Sequence, residues 1–375
     1  MKRGETPVAD FDRILGTAVA SDASDIILKA GTQPAIKVHG KVLFLADDRL
    51  DDATMDQFVD RLAGAAARAR LEEAGEADFA HEHRKYGRFR CNAFRQGGRL
   101  SVVMRYVKPA VPGFEDLNLP MRPFEAFAAA ERGLVLVTGV TGSGKSTTVA
   151  SLIQRINATR NAHIVTLEDP VEFRFTDDLS VINQREIGLD TRSWATGLRA
   201  AMREAPDVVM IGEIRDSETM SAAVAAAETG HLVISTLHTV NAQQTIERVM
   251  TFFPPHQHDL VRFQMSTVLV GIASQRLLPC RTESRMIPAV EVLLGTPRVR
   301  ELLREGKTRD LDKALVESSE FYGTQTFNQS LRGLMDAGLI TVEDALAASD
   351  NPEELRLAMR GISKGTDRKF TMNRG

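Results

Sequence analysis

Residues Gly139 to Ser146 read GVTGSGKS, a complete G-x-x-x-x-G-K-S phosphate loop, between the apolar run 134–138 and a segment of helical character, 147–156. Gly139, Gly142 and Gly144 are expected to bind the nucleotide through their backbone, because they permit a positive-φ turn and the close approach that aims successive N–H groups at the β- and γ-phosphates. The helix that follows presents its positive end to the same oxygens. Lys145 supplies a point charge to those phosphates, and Ser146 a hydroxyl to Mg²⁺. Thr141, Ser143 and Thr147 complete the nucleotide-binding set, and the ligand is ATP or GTP. A glycine-rich turn with a solvated lysine has the same spelling, so the segments that follow must be weighed with it.

Three of them carry chemistry. Leu167-Glu-Asp-Pro-Val-Glu172 places carboxylates at the end of a strand, where ligands of open α/β sheets bind. Glu168 is expected to support Mg²⁺ through water, or the attacking water itself. The run Asp207-Val-Val-Met-Ile-Gly-Glu213 closes an apolar strand on an acid, which makes Glu213 the expected general base for water activation. In Glu228-Thr-Gly-His-Leu-Val-Ile-Ser-Thr-Leu-His238, His231 and His238 flank a buried strand. A lone histidine is more often structural than catalytic, yet two around this strand point to sensing of the γ-phosphate or of domain position. Lys145 is expected to face solvent when no nucleotide is bound.

The elements that position these residues follow from pattern and length. A chain of 375 residues suggests two domains, and 43% hydrophobic with 26% charged residues is ordinary for a globular protein. A net charge of −3 gives no reason to expect a nucleic-acid partner. Two distant cysteines, Cys91 and Cys280, write neither a disulfide framework nor a C-x-x-C metal site, and fit a reducing cytoplasm. No apolar stretch nears the roughly 18 residues a membrane span needs, and no signal-peptide core follows the N-terminus.

Residues 1–107 show short alternating runs at 35–39, 88–92 and 100–105 and helical stretches near 10–20 and 54–74, which predict a small α+β domain. Between 108 and 123 lie four of the fourteen prolines and Gly113, the composition of an extended, semi-rigid linker. From 124 onward, apolar strands at 134–138, 163–167, 208–211 and 232–236 alternate with helices around 145–158, 192–204 and 216–229. That alternation predicts a mostly parallel sheet covered on both faces. Past Thr296 the pattern is helical, and 365–375 reads as a disordered tail.

The order of phosphate loop, LEDPVE box, IGEIRD strand and TGHLVISTLHT box resembles the secretion-type ATPases of type II secretion and type IV pili. The resemblance runs over almost the whole chain and includes Ser24-Asp-Ile-Ile-Leu28 and Arg88-Phe-Arg-Cys-Asn-Ala-Phe94 of the first domain. It implies a PAS-like first domain, a RecA-like P-loop second domain with a helical extension, and a homohexamer that hydrolyses ATP with Mg²⁺ at subunit interfaces. It further implies a cytoplasmic motor peripheral to the inner membrane, seated on a pilus platform protein, without nucleic acid and without membrane insertion. Assembly and secretion members usually carry a four-cysteine zinc module after the histidine box. With Cys280 alone in that region the module cannot exist here, which points to the pilus retraction branch, PilT and PilU.

Arg298-Val-Arg-Glu-Leu-Leu-Arg-Glu305 is similar to the AIRNLIRE motif of that branch, with Arg298 for its first Ala and Glu301 for its Asn. Thr296 as N-cap, Pro297 at N1 and Gly306 after the last turn mark a short helix with Val299, Leu302 and Leu303 on its apolar side. Its Arg300, Glu301, Arg304 and Glu305 are expected to stay available to a neighbour. Ala205 stands where the family usually has Asp, Ile27 where a His is common, and the C-terminal run looks closer to PilU-like paralogues. A ring ATPase needs cationic donors at the γ-phosphate, commonly from a neighbouring subunit. The resemblance puts them on the first-domain strands at Arg88, Arg90 and Arg105, with Arg203 and Arg215 as further candidates. His81 and His83 read as solvated. Competing readings are a nucleotide-binding ring acting through a partner PilT-type motor, a pilus or secretion assembly ATPase, and a small-molecule kinase, for which no acceptor pocket is marked.

Overall fold

Contacts divide the chain into two units, Met1–Ala110 and Val111–Gly375. The computed structural model describes residues 11–360 except 22, 39, 46–48, 108–110 and 284, so the expected tail at 365–375 lies outside the described residues.

In the first unit, helix α1 (Phe11–Ala20) precedes strands β1 (Asp25–Lys29), β2 (Ala35–Val38) and β3 (Lys41–Phe44). Helices α2 (Asp52–Leu62) and α3 (Ala65–Ala74) follow, then strands β4 (Glu76–His83), β5 (Gly87–Gln96) and β6 (Arg99–Tyr106). The sequence pattern suggested one helical stretch over 54–74; it is two helices, broken at Ala63 and Gly64. All six strands join one antiparallel sheet in the order β3-β2-β1-β6-β5-β4. The two-residue period sends Phe89, Cys91 and Ala93 of β5 into the core with Phe11, Leu15, Met55 and Phe58 of α1 and α2. Arg88, Arg90 and Asn92 therefore share the other face.

The second unit opens with α4 (Met121–Ala129), β7 (Gly133–Thr138), α5 (Lys145–Thr159), β8 (His163–Glu168) and β9 (Val181–Glu186). It continues with α6 (Trp194–Ala201), β10 (Val208–Ile211), α7 (Ser217–Glu228), β11 (Leu232–Leu237), α8 (Ala242–Thr251) and α9 (His258–Val268). Strands β12 (Leu269–Pro279) and β13 (Met286–Leu294) close the sheet. Helices α10 (Pro297–Glu305), α11 (Leu311–Tyr322), α12 (Phe327–Asp336), α13 (Val342–Ala348) and α14 (Pro352–Met359) complete the unit. The order is β13-β12-β7-β11-β10-β8-β9, every pairing parallel except β12 with β13. Strands β7, β10 and β11 are buried throughout, as a parallel sheet covered on both faces requires. Alternate residues of β7 show it: Leu134 and Leu136 pack against α7 to α10, while Val135 and Val137 pack against α4 and α5.

Phe114 and Leu119 are buried in that second core beside Phe124 and Phe127. This part of the proline-rich stretch is thus packed rather than a free spacer. Thr296 caps α10 by accepting from Val299 N, and Gly306 ends it at φ 69°. The charged residues of α10 make contacts within their own unit, with Glu301, Arg304 and Glu305 still exposed and Arg300 half-buried. Arg300 donates to the carbonyls of Gly295, Ser266 and Thr267, Arg304 donates to Ser266 Oγ, Glu301 pairs with Arg298 and Glu305 with Lys307. Arg300 and Arg304 thereby serve the exposed carbonyl end of α9.

Candidate active site

Parallel strands deliver their C-terminal ends to one edge of a sheet, and here that edge gathers the residues of interest. Thr138 lies opposite Leu237, and Ile211 lies between Leu167 and Ser235. The phosphate loop after β7, Glu168 at the end of β8, Glu213 after β10 and His238 after β11 consequently converge.

The loop fixes its own shape, and its three glycines do so for different reasons. Gly139 has φ 148°, and a Cβ there would fall 2.4 Å from Ser143 Oγ and 2.6 Å from Gln275 O, so no other residue fits without moving backbone. Gly142 is exposed at φ 79°, the positive-φ turn expected of it, and a Cβ there would meet no protein atom within 4 Å. Gly144 at φ 88° caps α5, whose first residue is Lys145. Ser143 Oγ is buried without a partner, Thr141 and Ser146 are exposed, and Thr147 is half-buried. Beneath the loop, Gln275 of β12 donates to Thr148 Oγ1 at 2.8 Å.

Lys145 does not face solvent as expected. It is 8% exposed, and its Nζ donates to Gly139 O at 2.9 Å and Val140 O at 3.0 Å. Burial lowers its pKa, while nearby Glu213 and Glu172 oppose that shift. The ammonium is folded back on the carbonyls of its own loop. His238 Nδ1 lies 3.5 Å from the same Nζ, and His238 Nε2 lies 3.3 Å from Glu213 Oε2. An ammonium can only donate, so Nδ1 must accept and the ring proton sits on Nε2, facing the carboxylate. Glu213 also pairs with Arg215. The result is a chain, Lys145 to His238 to Glu213 to Arg215, along the edge of the sheet.

The acidic box divides its two carboxylates. Glu168 is buried and fully used: it accepts from Thr166 Oγ1 at 2.6 Å, Gln184 Nε2 at 3.0 Å and Glu172 N at 3.4 Å. Burial raises its pKa, against the pull of those hydrogen bonds. Glu172 is exposed and accepts from Ser146 Oγ at 3.2 Å. The carboxylate in contact with the Ser146 hydroxyl is Glu172, while Glu168 accepts from the Glu172 amide and so holds the turn that presents it. A hydroxyl and a carboxylate at this spacing are hard oxygen donors suited to Mg²⁺, an ion that keeps several waters and takes phosphate oxygens. No group of three or more His, Cys, Asp or Glu is positioned to hold a metal by itself among the described residues.

The remaining candidates belong to other elements. His231 precedes β11, at the opposite end of the strand from His238 and on the order of 20 Å away by strand rise. Its Nδ1 lies 3.0 Å from Ala226 O, and it contacts none of the residues above. It therefore closes α7 onto β11 and is no part of this chain's phosphate site. Arg90 and Arg105 face each other across β5 and β6 in the first unit, and Arg105 pairs with the buried Asp25 at 2.9 Å. Arg88 is also engaged, and Arg203 is exposed just past α6. Sequence reasoning quoted Glu172 within its box without singling it out. The available signal was its place four residues past Glu168, beyond the strand end.

The model of the family described as Type II/IV secretion system protein matches residues 3–314. The type IV pilus ATPase PilU of Pseudomonas aeruginosa is 38% identical over 98% of this chain and 96% of its own. The type IV pilus retractation ATPase PilT of the same organism is 38% identical over 92% of this chain and 99% of its own. A crystal structure of the pilus retraction motor PilT with bound ADP superposes with a TM-score of 0.86 at 42% identity, covering 94% of this chain and 99% of that one. The ATPase DotB of Legionella pneumophila gives 0.76 at 29% identity, over 97% and 98%.

Proposed function

This chain belongs to the Type II/IV secretion system protein family, and we propose that it is an ATP-hydrolysing motor of a type IV pilus system that drives pilus retraction and twitching. The observation that carries the chemistry is the chain Lys145–His238–Glu213 laid across the mouth of a complete phosphate loop. ATP draws Lys145 from the loop carbonyls to its β- and γ-phosphates, which returns a buried cation to a full anionic partner. Movement of Lys145 frees His238 Nδ1, so the state of the γ-phosphate is transmitted to Glu213 and Arg215. Ser146 would hold Mg²⁺ directly and Glu172 through water, and the ion would neutralise charge on the phosphates. Glu172, exposed and unburdened by a salt bridge, orients the attacking water and accepts its proton. Glu213, committed to Arg215 and His238, relays rather than acts as the base first expected.

The working form is a homohexamer in the cytoplasm against an inner-membrane platform protein. The absence of a membrane-spanning helix among the described residues is compatible with that placement. Arg90 and Arg105 are the candidate donors from a neighbouring subunit. Purified protein should hydrolyse ATP with Mg²⁺; mass measurement with an ATP analogue should give six copies, and mixing Lys145→Ala with Arg90→Ala subunits should restore part of the activity. A monomer with full turnover contradicts shared sites. Loss of retraction and twitching on gene deletion tests the biological half. Equal identity to PilU and PilT leaves main motor and PilT-dependent auxiliary both open, and deletion beside an intact paralogue separates them.

A further inference from the structure

Glu291 interrupts β13 with a carboxylate where the residues from Ile287 to Val292 are buried, and it is itself only 6% exposed. Strand register places it opposite Ser274, Ser274 opposite Thr138, and Thr138 opposite Leu237. One transverse row of the sheet thus runs from Glu291 to the residue just before the phosphate loop and on to the residue just before His238. Members of a row share a face, and Thr138 Oγ1 donates to Ser274 Oγ at 2.9 Å. On that face α8 begins. Ala242 N, in its first turn, donates to Glu291 Oε1 at 2.8 Å. The turn between His238 and Ala242 is tied to the same helix, since Thr239 Oγ1 lies 2.7 Å from Thr245 Oγ1 and Thr245 Oγ1 donates to Asn241 O at 2.7 Å.

We infer that Glu291 is a positioning residue for the hydrolytic site: its carboxylate pins the start of α8 and so holds the turn that sets His238 between Lys145 and Glu213. This rests on the ATPase reading of that site. An ionised carboxylate at the positive end of a helix accepts a stronger hydrogen bond than a neutral one, so the charge state of Glu291 sets how firmly the turn is held. Burial pushes the Glu291 carboxyl up to about 7, the Ala242 N–H opposes, Asp312 of α11 and Asp350 between α13 and α14 push upward, and Arg276 of β12 pulls down. Arg276 is largely committed to Asp350 at 2.6 Å, and Asp312 is itself raised by burial and by Asp350 and Glu354. From α8 the group that meets Glu291 is the uncharged backbone N–H of Ala242.

The test is Glu291→Gln, which keeps shape and acceptor but removes the charge. Between the 4.5 of a free glutamate and about 7, the folded chain holds a proton the unfolded chain has released. The contribution of Glu291 to stability therefore falls as pH rises across that window and is flat above it. The variant should accordingly melt no lower than wild type at pH 8, which makes it a folded protein to assay. At pH 8 its kcat should be about fivefold lower with KM for ATP unchanged, and at pH 6 the two proteins should converge. Amide protection over 239–243 should follow the same course. A wild-type pH profile in Glu291→Gln overturns the inference, as does an equal loss at pH 6 and pH 8, which is what a merely structural role gives. If wild type hydrolyses no ATP, the motor reading fails instead; amide protection then decides alone, and unchanged protection at pH 8 overturns the pinning.

Discussion

The first unit pairs all six strands antiparallel, and the second runs six of its seven the same way. The difference decides where chemistry can gather. Antiparallel neighbours send successive loops to opposite ends, so polar side chains of the first sheet meet only across its face, as Arg90 and Arg105 do. Parallel neighbours send every strand end to one edge, so residues separated by up to a hundred positions in sequence, from Gly139 to His238, assemble from the ends of β7, β8, β10 and β11 without any long-range design beyond the sheet itself. Each motif of the second unit could be read locally because each is a strand end. The arginines of the first unit have no such address.

The sharpest way to break this contrast is at the convergence point. Lys145→Ala should lower ATP turnover by about 10²–10³-fold or more, the scale of losing one group that stabilises transition-state charge, with the far-ultraviolet dichroism of the native fold kept. Wild-type turnover in the folded variant would remove the phosphate loop from the mechanism. The acidic box gives the next largest effect. Glu172→Gln should cost about 10²-fold in kcat as a lost general base, whereas Glu168→Gln should stay within about tenfold, because its role is to receive Thr166, Gln184 and the Glu172 amide. The reverse ranking would place the base at Glu168, at the end of β8.

Much of this arrangement was legible before any coordinates. The phosphate loop announced itself because glycine at 139, 142 and 144 has a backbone reason, and the alternation of strands and helices fixed the parallel sheet. What sequence could not show is what folding brings together. Gly139 is crowded by Gln275 of β12 while Gly142 stands in open space, a distinction that three identical letters cannot carry. Lys145 is spelled like a solvated lysine and is buried on its own loop carbonyls. Glu168 and Glu172 carry the same chemistry four positions apart, and only the strand end between them separates a buried carboxylate from an exposed one. His231 and His238 looked like a pair because both flank one strand; a strand length of separation, readable from their spacing, puts them at opposite ends. Glu291 has no motif at all, since its neighbour across the sheet is supplied by the β12–β13 hairpin.

In the first unit, the contrast separates the two candidate donors by what each does for its own sheet. Arg105→Ala leaves the buried Asp25 with Ser24 Oγ at 2.8 Å and without its cation, which should lower the stability of that unit by about 1–2 kcal/mol. The discount from a fully buried pair reflects the 63% exposure of the Arg105 side chain. Arg90→Ala, exposed and opposite a like charge, should stay within about 0.5 kcal/mol. Thermal melting distinguishes them. An Arg105→Ala protein that melts like wild type yet fails to hydrolyse ATP would move Arg105 from the sheet to the site of a neighbouring subunit.

The smallest effect lies on the second unit's other edge, where β10 begins rather than ends. Ala205 has φ 51°, a left-handed conformation that an alanine Cβ disfavours and that asparagine and aspartate tolerate through local hydrogen bonds. Its carbonyl lies 3.2 Å from His163 Nδ1, so the conformation is held by a contact to β8. An Asp or Asn at this position would have a backbone reason, and Ala here should cost stability without touching the phosphate edge. Asparagine is the better test, because it adds the local hydrogen-bonding side chain without adding a charge. Ala205→Asn should raise stability by about 0.5–1 kcal/mol and leave kcat and KM for ATP unchanged. A change in turnover of more than about twofold would show that the starting ends of the parallel strands communicate with the site at their far ends, and the division of labour between the two edges of this sheet would fall.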